Sequence, residues 1–401
     1  MKLIDNNNNI NNKLNNIIND INNKLNNKIE INKINELKND IDYKNNKLKK
    51  LINNNEYINK INYIFKKDPT KLKYKLDITN TNTKYGCNDI FEIFISYKDN
   101  KEYIISPNKN NYNLDIFELI ENKKILSIKG HNNHIRTIRY FIDKYNYKVD
   151  EYLISGDDNK IVIIWDITNN YNIKYQIDTK YGDDIYSCLL IFPKNIEDNY
   201  IITSTFNISD DMDKSSTKIY SFNNGEFIKY INNTNNNTIY YLLSWYNKKN
   251  NNYYIIQFSF KKIIINNLLE DELYSELKQE PETDHFSGCI YNKDNNDYLC
   301  SSSDNGYINI WDLYNKKIFK IININNCELA HIIQWNNKYI IVADYNNKCF
   351  KVINLDENKI IDDFKGEHTK EVLSIKKLYN PLYGESLLSV GEDNTIKLWI
   401  I

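Results

Sequence analysis

Apolar and polar residues alternate with a period of two from Pro69 to the C-terminus, the spacing of β-strands with one face buried. The final stretch, SLLSVGEDNTIKLWII (386–401), shows the unit. Two strands, LLSV and TIKLWI, flank a tight turn at Glu392, Asp393 and Asn394. Ile396 and Leu398 share one face of the second strand, and Lys397 and Trp399 share the other. The same unit returns at YLISGDDNKIVIIWDI (152–167) and YLCSSSDNGYINIWDL (298–313). Weaker copies begin at Tyr103, Tyr200, Tyr253 and Tyr339, which makes seven strand pairs. Their starts lie about 40 to 55 residues apart, the length of a four-stranded propeller blade. A sheet that ended on the apolar Trp399 strand would leave unpaired backbone groups open to other chains. Another part of the chain has to cover that edge.

Before Asp68 and Pro69 the period changes. Ile10, Leu14, Ile17 and Ile21, then Ile34, Leu37, Ile41, Leu48, Leu51 and Ile58, recur at steps of three, four and seven, which is helical spacing with a coiled-coil-like stripe. The phase slips between Ile21 and Ile34, and Lys24, Lys28 and Lys44 interrupt the seam. The spacing predicts a helix over 30–60, preceded by an Asn-rich segment that is either helical or disordered. Residues 1–67 thus form an α-helical, coiled-coil-like arm, and 72–401 form one all-β domain.

Composition changes this picture little. The chain has 401 residues, 26 % of them charged, and a net charge of −1, so bulk charge selects no class of partner. Locally the balance differs: residues 1–75 carry sixteen Lys against eight Asp or Glu. That is a solvated basic face or an anion-binding one. Asn is abundant while Gly (10) and Pro (5) are scarce, which reads as the bias of AT-rich coding sequence rather than a structural device. No apolar run is long enough to span a membrane and the N-terminus lacks the core of a secretion signal, so an intracellular, cytoplasmic protein is expected. Cys87, Cys188, Cys289, Cys300, Cys327 and Cys349 form no CxxC pair and are expected as reduced thiols.

The repeats resemble the WD-repeat family. The residues that carry the resemblance are Gly130 with His131, Trp165 with Asp166, Trp311 with Asp312, and the series Gly366, His368, Ser389, Asp393 and Trp399. The resemblance implies a seven-bladed β-propeller over 72–401, stiffened in each blade by a buried set of His, Ser or Thr, Asp and Trp. His368, Ser389, Asp393 and Trp399 match that set. His131, Ser155 and Trp165 match it in part, with Asn159 where Asp is usual. It also implies that KYKLDI (73–78) pairs with the strand 395–400 and closes the ring, since closure is what protects sheet edges in such folds.

No motif for nucleotide binding, metal hydrolysis or nucleophilic catalysis occurs. His131 and His134 lack a third ligand at suitable spacing. The Asp pairs at 157–158 and 210–211 sit in strand turns, where Asp usually bonds its own backbone. Neither an enzyme nor a cofactor is expected. A binding surface remains. Each innermost strand opens with an apolar–x–x–apolar pattern, and the residue after the first apolar one should face the mouth of the central channel. Those residues are Phe91, Arg136, Tyr186, Tyr240, Ser287, Ala330 and Leu373. Arg136 and Arg139 are the only arginines in the chain. Aromatic residues and Arg dominate interface hot spots. Asp157, Asp158 and other carboxylates in the turns and loops should ring the same mouth. The expected activity is that of a non-enzymatic scaffold. Its mouth takes a protein or peptide rich in Lys or Arg, through Phe91, Arg136, Tyr186, Tyr240, Asp157 and Asp158. Arg136 anchors a carboxylate or a backbone carbonyl of that partner. The helical arm dimerises or recruits a second partner. The alternative is a basic-armed propeller in ribosome or RNA assembly.

Overall fold

The computed structural model describes residues 12–18, 38, 41–42, 60, 63–79, 90–108, 110–145, 148–179, 184–193, 198–205, 217–231, 238–270, 272–279, 282–324 and 326–401. The chain divides into two units, Met1–Ile58 and Asn59–Ile401. In the first, residues 12–18 are helical, as are 38, 41 and 42. Most of the expected helix over 30–60 and of its apolar stripe lies outside the described residues.

The second unit holds seven antiparallel sheets of four strands each. Their first strands are Glu92–Ile95, Ile135–Tyr145, Ile185–Ile191, Ile239–Asn247, His285–Lys293, Leu329–Gln334 and Val372–Asn380. Each first strand touches the next, and Glu92–Ile95 touches Val372–Asn380, so the sheets close into a seven-bladed β-propeller. Six of the blades are consecutive in sequence. The seventh takes its outer strand, Lys73–Thr79, from the start of the ring; Tyr74 pairs with Trp399 and Ile78 with Ile396. Lys397 Nζ adds an ion pair to Asp77 at 2.6 Å. The bare edge of the Trp399 strand is thereby covered.

Period-two alternation holds best in the outer strands. From Lys174 to Asp178 exposed positions alternate with the partly buried Tyr175 and the buried Ile177, whereas Tyr200–Thr205 is buried at every residue. Middle strands have a neighbouring blade against each face, so both faces need apolar or internally bonded residues. Apolar clusters fill the spaces between successive blades from the first to the seventh, for example Ile105, Ile138 and Trp165 between blades 1 and 2. Gly288 marks one close approach: a Cβ there would lie 2.3 Å from Phe258 Cζ.

Hydrogen-bonded sets pin two blades. In blade 7, His368 contacts Asp393 Oδ2 at 3.0 Å and Ser389 Oγ at 2.8 Å, and Trp399 Nε1 donates to Ser389 Oγ at 2.8 Å. Burial alone would raise the Asp393 carboxyl; hydrogen bonds from His368 and Thr395 override it and hold the group below the ordinary carboxylate range. Blade 2 repeats the set with one change. His131 contacts Asp157 Oδ2 at 2.8 Å and Ser155 Oγ at 2.7 Å, and Trp165 Nε1 donates to Ser155 at 2.9 Å. The carboxylate comes from Asp157 and not from position 159, so the Asn159 substitution costs the set nothing. Blade 5 keeps only the bond from Trp311 Nε1 to Ser301 Oγ, at 2.9 Å.

A strap that the period-two pattern did not reveal precedes the closing strand. Lys60 Nζ bonds Glu102 Oε1 at 2.8 Å and Asn100 O at 2.6 Å in blade 1. Tyr63 stacks on Tyr379 of blade 7 with ring centroids 3.6 Å apart, and Phe65 packs edge-on to Trp335 of blade 6. Residues 60 and 63–67, on the arm side of the expected boundary, therefore belong with the ring.

Asn also has a structural role here. Among the described residues, eight of the fifteen non-glycine residues with positive φ are Asn, among them Asn100, Asn251, Asn358 and Asn394, between strands. Asn tolerates the left-handed conformation that most side chains avoid, so it replaces glycine in a chain that has few.

Candidate functional site

The mouth of the channel is shaped by a backbone device repeated around the ring. At the start of the innermost strands the pairing register shifts between Ile135 and Thr137, Ile185 and Ser187, Ile239 and Tyr241, His285 and Ser287, and Val372 and Ser374. Each shift leaves one residue outside the ladder, and a bulge of this kind re-aims its side chain. The bulged residues are Arg136, Tyr186, Tyr240, Phe286 and Leu373.

Four of them form a continuous row across blades 2 to 5. The Arg136 guanidinium lies 4.9 Å from the centroid of Tyr186. Tyr186 meets Tyr240 edge-on at 6.2 Å, and Tyr240 meets Phe286 edge-on at 5.3 Å. All three rings are partly exposed. Sequence reasoning placed Ser287 at the blade 5 position, one residue late. It took Phe286 as the buried opening residue, but the buried residue there is His285, and Ser287 is fully buried. The polar character of His285 hid the register. Phe91, Ala330 and Leu373 are buried at 0 %, 9 % and 2 % exposure, so Phe91 offers no surface to a partner.

Arg136 is held by the protein itself. Its Nε donates to Asp158 Oδ1, and its Nη2 donates to Asp184 Oδ2 at 2.5 Å. Two carboxylates around one guanidinium leave a net negative charge and orient the Arg plane against Tyr186. That engagement argues against the expected role of Arg136 as an anchor for a partner's carboxylate. Arg139, three residues further along the strand, stacks on Tyr241 at 4.4 Å and donates to Ser187 Oγ at 3.2 Å.

The carboxylates of the expected rim separate by role. Asp157 and Asp393 are tied into the histidine sets, so Asp157, at 1 % exposure, is a structural residue and not a contact. Glu282 pairs with Lys261 at 2.6 Å. Asp183, Asp210, Asp211, Asp213 and Glu280 lie outside the described residues. What remains near the mouth is Asp158 and Asp184 on Arg136, then two like-charged pairs. Burial and the neighbouring Asp304 push the Asp284 carboxyl up to about 6. Burial and Glu371 likewise raise Glu392. Lys261 and Lys370 offset these effects on Asp284 and Glu392 only in part, so a cation placed beside either carboxyl is favoured.

Among the described residues no group of His, Cys, Asp and Glu is arranged to hold a metal ion, and no disulfide joins the five described cysteines to one another. No described helix is long and apolar enough to cross a membrane.

The family model described as "WD domain, G-beta repeat" matches residues 122–166 and 283–312. The first match runs from the outer strand of blade 1 through Trp165, and the second covers the first three strands of blade 5. No curated protein matches the chain. The sequence match falls on the two blades where Trp bonds a strand Ser and an Asp follows the Trp. The two matched segments are WD repeats, and with seven four-stranded blades and a ring closed by strand exchange between its two ends the chain is a β-propeller that carries them.

Proposed function

We propose that this propeller is a non-enzymatic interaction scaffold whose mouth receives a cationic segment of a partner protein. WD-repeat propellers are typically scaffolds of this kind. The observation that carries the finer reading is the row formed by Arg136, Tyr186, Tyr240 and Phe286, bordered by carboxylates that lack full compensation. Ring faces and edges supply large contact area with little rotamer entropy to lose, and they attract cations. The carboxylates speed encounter with a Lys-rich or Arg-rich peptide and set its orientation. Arg136, already engaged by Asp158 and Asp184, acts as a rigid platform for Tyr186. The helical arm provides dimerisation or a second partner, which raises avidity through linkage. The expected compartment is the cytoplasm.

The test is titration of the full chain with a library of basic peptides, in parallel with the Tyr186→Ala, Tyr240→Ala double variant. Expected is salt-sensitive binding that the double variant weakens about 30-fold, in keeping with the loss of two aromatic anchors. Binding that ignores salt, or that the double variant leaves intact, overturns the reading. Light scattering of the full chain against a chain lacking residues 1–58 reports on dimerisation by the arm. The exposed Lys71, Lys73 and Lys75 continue the basic arm onto the closing strand. Steep salt dependence of RNA binding, with none for peptides, favours the RNA-assembly reading instead.

A further inference from the structure

A second concave site lies at the other end of the strands, where blades 1 and 2 meet. Residues 96–99, 103, 125, 149–151, 167, 168, 170 and 171 enclose about 610 Å³. At its wall sits Glu151, 3 % exposed. Glu151 Oε1 accepts hydrogen bonds from Tyr140 Oη at 2.6 Å and from the Tyr97 backbone N–H at 2.9 Å. Among the described residues Glu151 Oε2 accepts no hydrogen bond and Glu151 forms no ion pair. Burial pushes this carboxyl up, two hydrogen bonds pull against that, and nearby Asp99 pushes further. Asp99 Oδ2 accepts from Tyr103 Oη at 2.6 Å, and Asp150 also lines the space.

Three tyrosines complete the lining: Tyr97, Tyr103 and Tyr171. Tyr171 sits in the left-handed region at φ 61°. Burial raises its phenol, and Glu151 and Asp99 add to the effect. Ile167 and Val149 supply aliphatic surface, and Lys98, on an exposed turn, is the one basic residue of the lining. A carboxylate taken out of water without a cation is unfavourable, and a buried, uncompensated acid in a cleft marks a binding site. Tyrosine faces attract the same charge, most strongly when it is spread over an alkylated ammonium.

We propose that this cavity binds an alkylammonium group: Glu151 takes the charge, Asp99 and Asp150 add field, and Tyr97, Tyr103 and Tyr171 pack its methylenes or methyl groups. The chemistry is shared by a lysine side chain, methylated or not, and by free polyamines. The site is separate from the mouth and does not rest on the function proposed for it.

The experiment titrates the full chain, by calorimetry and saturation-transfer NMR, with four probes. These are N-acetyl-lysine methylamide, its trimethylammonium form, spermidine, and the neutral isostere N-acetyl-norleucine methylamide. At least one ammonium probe should bind ten or more times more tightly than norleucine, a difference set by the paired charge. Glu151→Gln, which keeps the size of the side chain, should remove about tenfold, and Tyr171→Leu should weaken the trimethylated probe most. Asp99→Asn serves as the second variant should Glu151→Gln melt early. Preference for spermidine assigns the site to free amines, and preference for a lysine probe assigns it to polypeptides. Tyr186→Ala with Tyr240→Ala should leave all of this unchanged. Norleucine binding as well as lysine, no binding of any probe at about 10 mM, or full binding by both acid variants overturns the proposal.

Discussion

Glu385 is the residue through which the strap holds the ring closed, and replacing it gives a quantitative test. It is 1 % exposed at the start of the strand Gly384–Gly391. Its Oε1 accepts from Tyr63 Oη at 3.0 Å and from Lys66 N–H at 2.9 Å, while Oε2 accepts from Lys67 N–H at 2.8 Å. Glu385→Ala removes three charge-assisted hydrogen bonds, each worth about 1.5–3 kcal/mol net. Lys66 and Lys67 are exposed, so water can replace much of what their N–H groups lose. The expected loss is therefore about 2–4 kcal/mol rather than the full sum. Urea unfolding at equilibrium measures it. Fluorescence localises it, because Trp335 Nε1 donates to Lys67 O at 3.0 Å and Phe65 packs on the indole. Release of the strap wets Trp335 and shifts its emission to the red before the ring unfolds. A cycle with Tyr63→Phe isolates the phenol–carboxylate coupling, expected at about 0.5–3 kcal/mol. A loss below about 0.5 kcal/mol with additive single variants would refute the strap as a latch.

Three further outcomes follow from the same structure. Deleting Lys73–Thr79 exposes the Trp399 strand along its whole length, so aggregation or loss of a cooperative melt is expected; a soluble deletion with an unchanged melt contradicts closure by strand exchange. His285 is buried with both ring nitrogens unpartnered, and burial lowers it from 6.5 to about 4. The unfolded chain protonates first, so its contribution to stability is full above pH 6.5 and lost as pH falls toward 4, by roughly 3 kcal/mol in total. His285→Leu should flatten the stability profile over that window, and an unchanged slope shows that His285 is not responsible. Gly288→Val places a Cβ 2.3 Å from Phe258 Cζ and 2.9 Å from Cys300 O, and calorimetry should show a loss of about 1–3 kcal/mol or more; a neutral variant would mean that blades 4 and 5 can part at no cost.

The pairing of Lys73–Thr79 with the last strand was legible because an apolar C-terminal strand needs a partner and only one unassigned strand precedes the first repeat. The mouth was legible in part. Arg136, Tyr186 and Tyr240 follow an apolar residue in strands whose pattern is regular, and the bulge places them where that pattern says. Blade 5 broke the pattern because a histidine occupies the buried opening position. Asp157 and Asp158 are adjacent in sequence and looked equivalent, yet one closes the His131 set while the other holds Arg136. Pleating sends neighbours to opposite sides, and which side is the core depends on the blade next door.

Local alternation, turn residues and a repeat of blade length are properties of nearest neighbours along the chain, so the sequence alone determined the class of fold, the number of blades and the need for a closing strand. The strap on Glu385, the charge state of the mouth and the acidic, tyrosine-lined cavity between blades 1 and 2 join residues up to 322 positions apart. Such contacts carry no period and no motif. Only the closed ring, which brings distant turns to a common face, decided them.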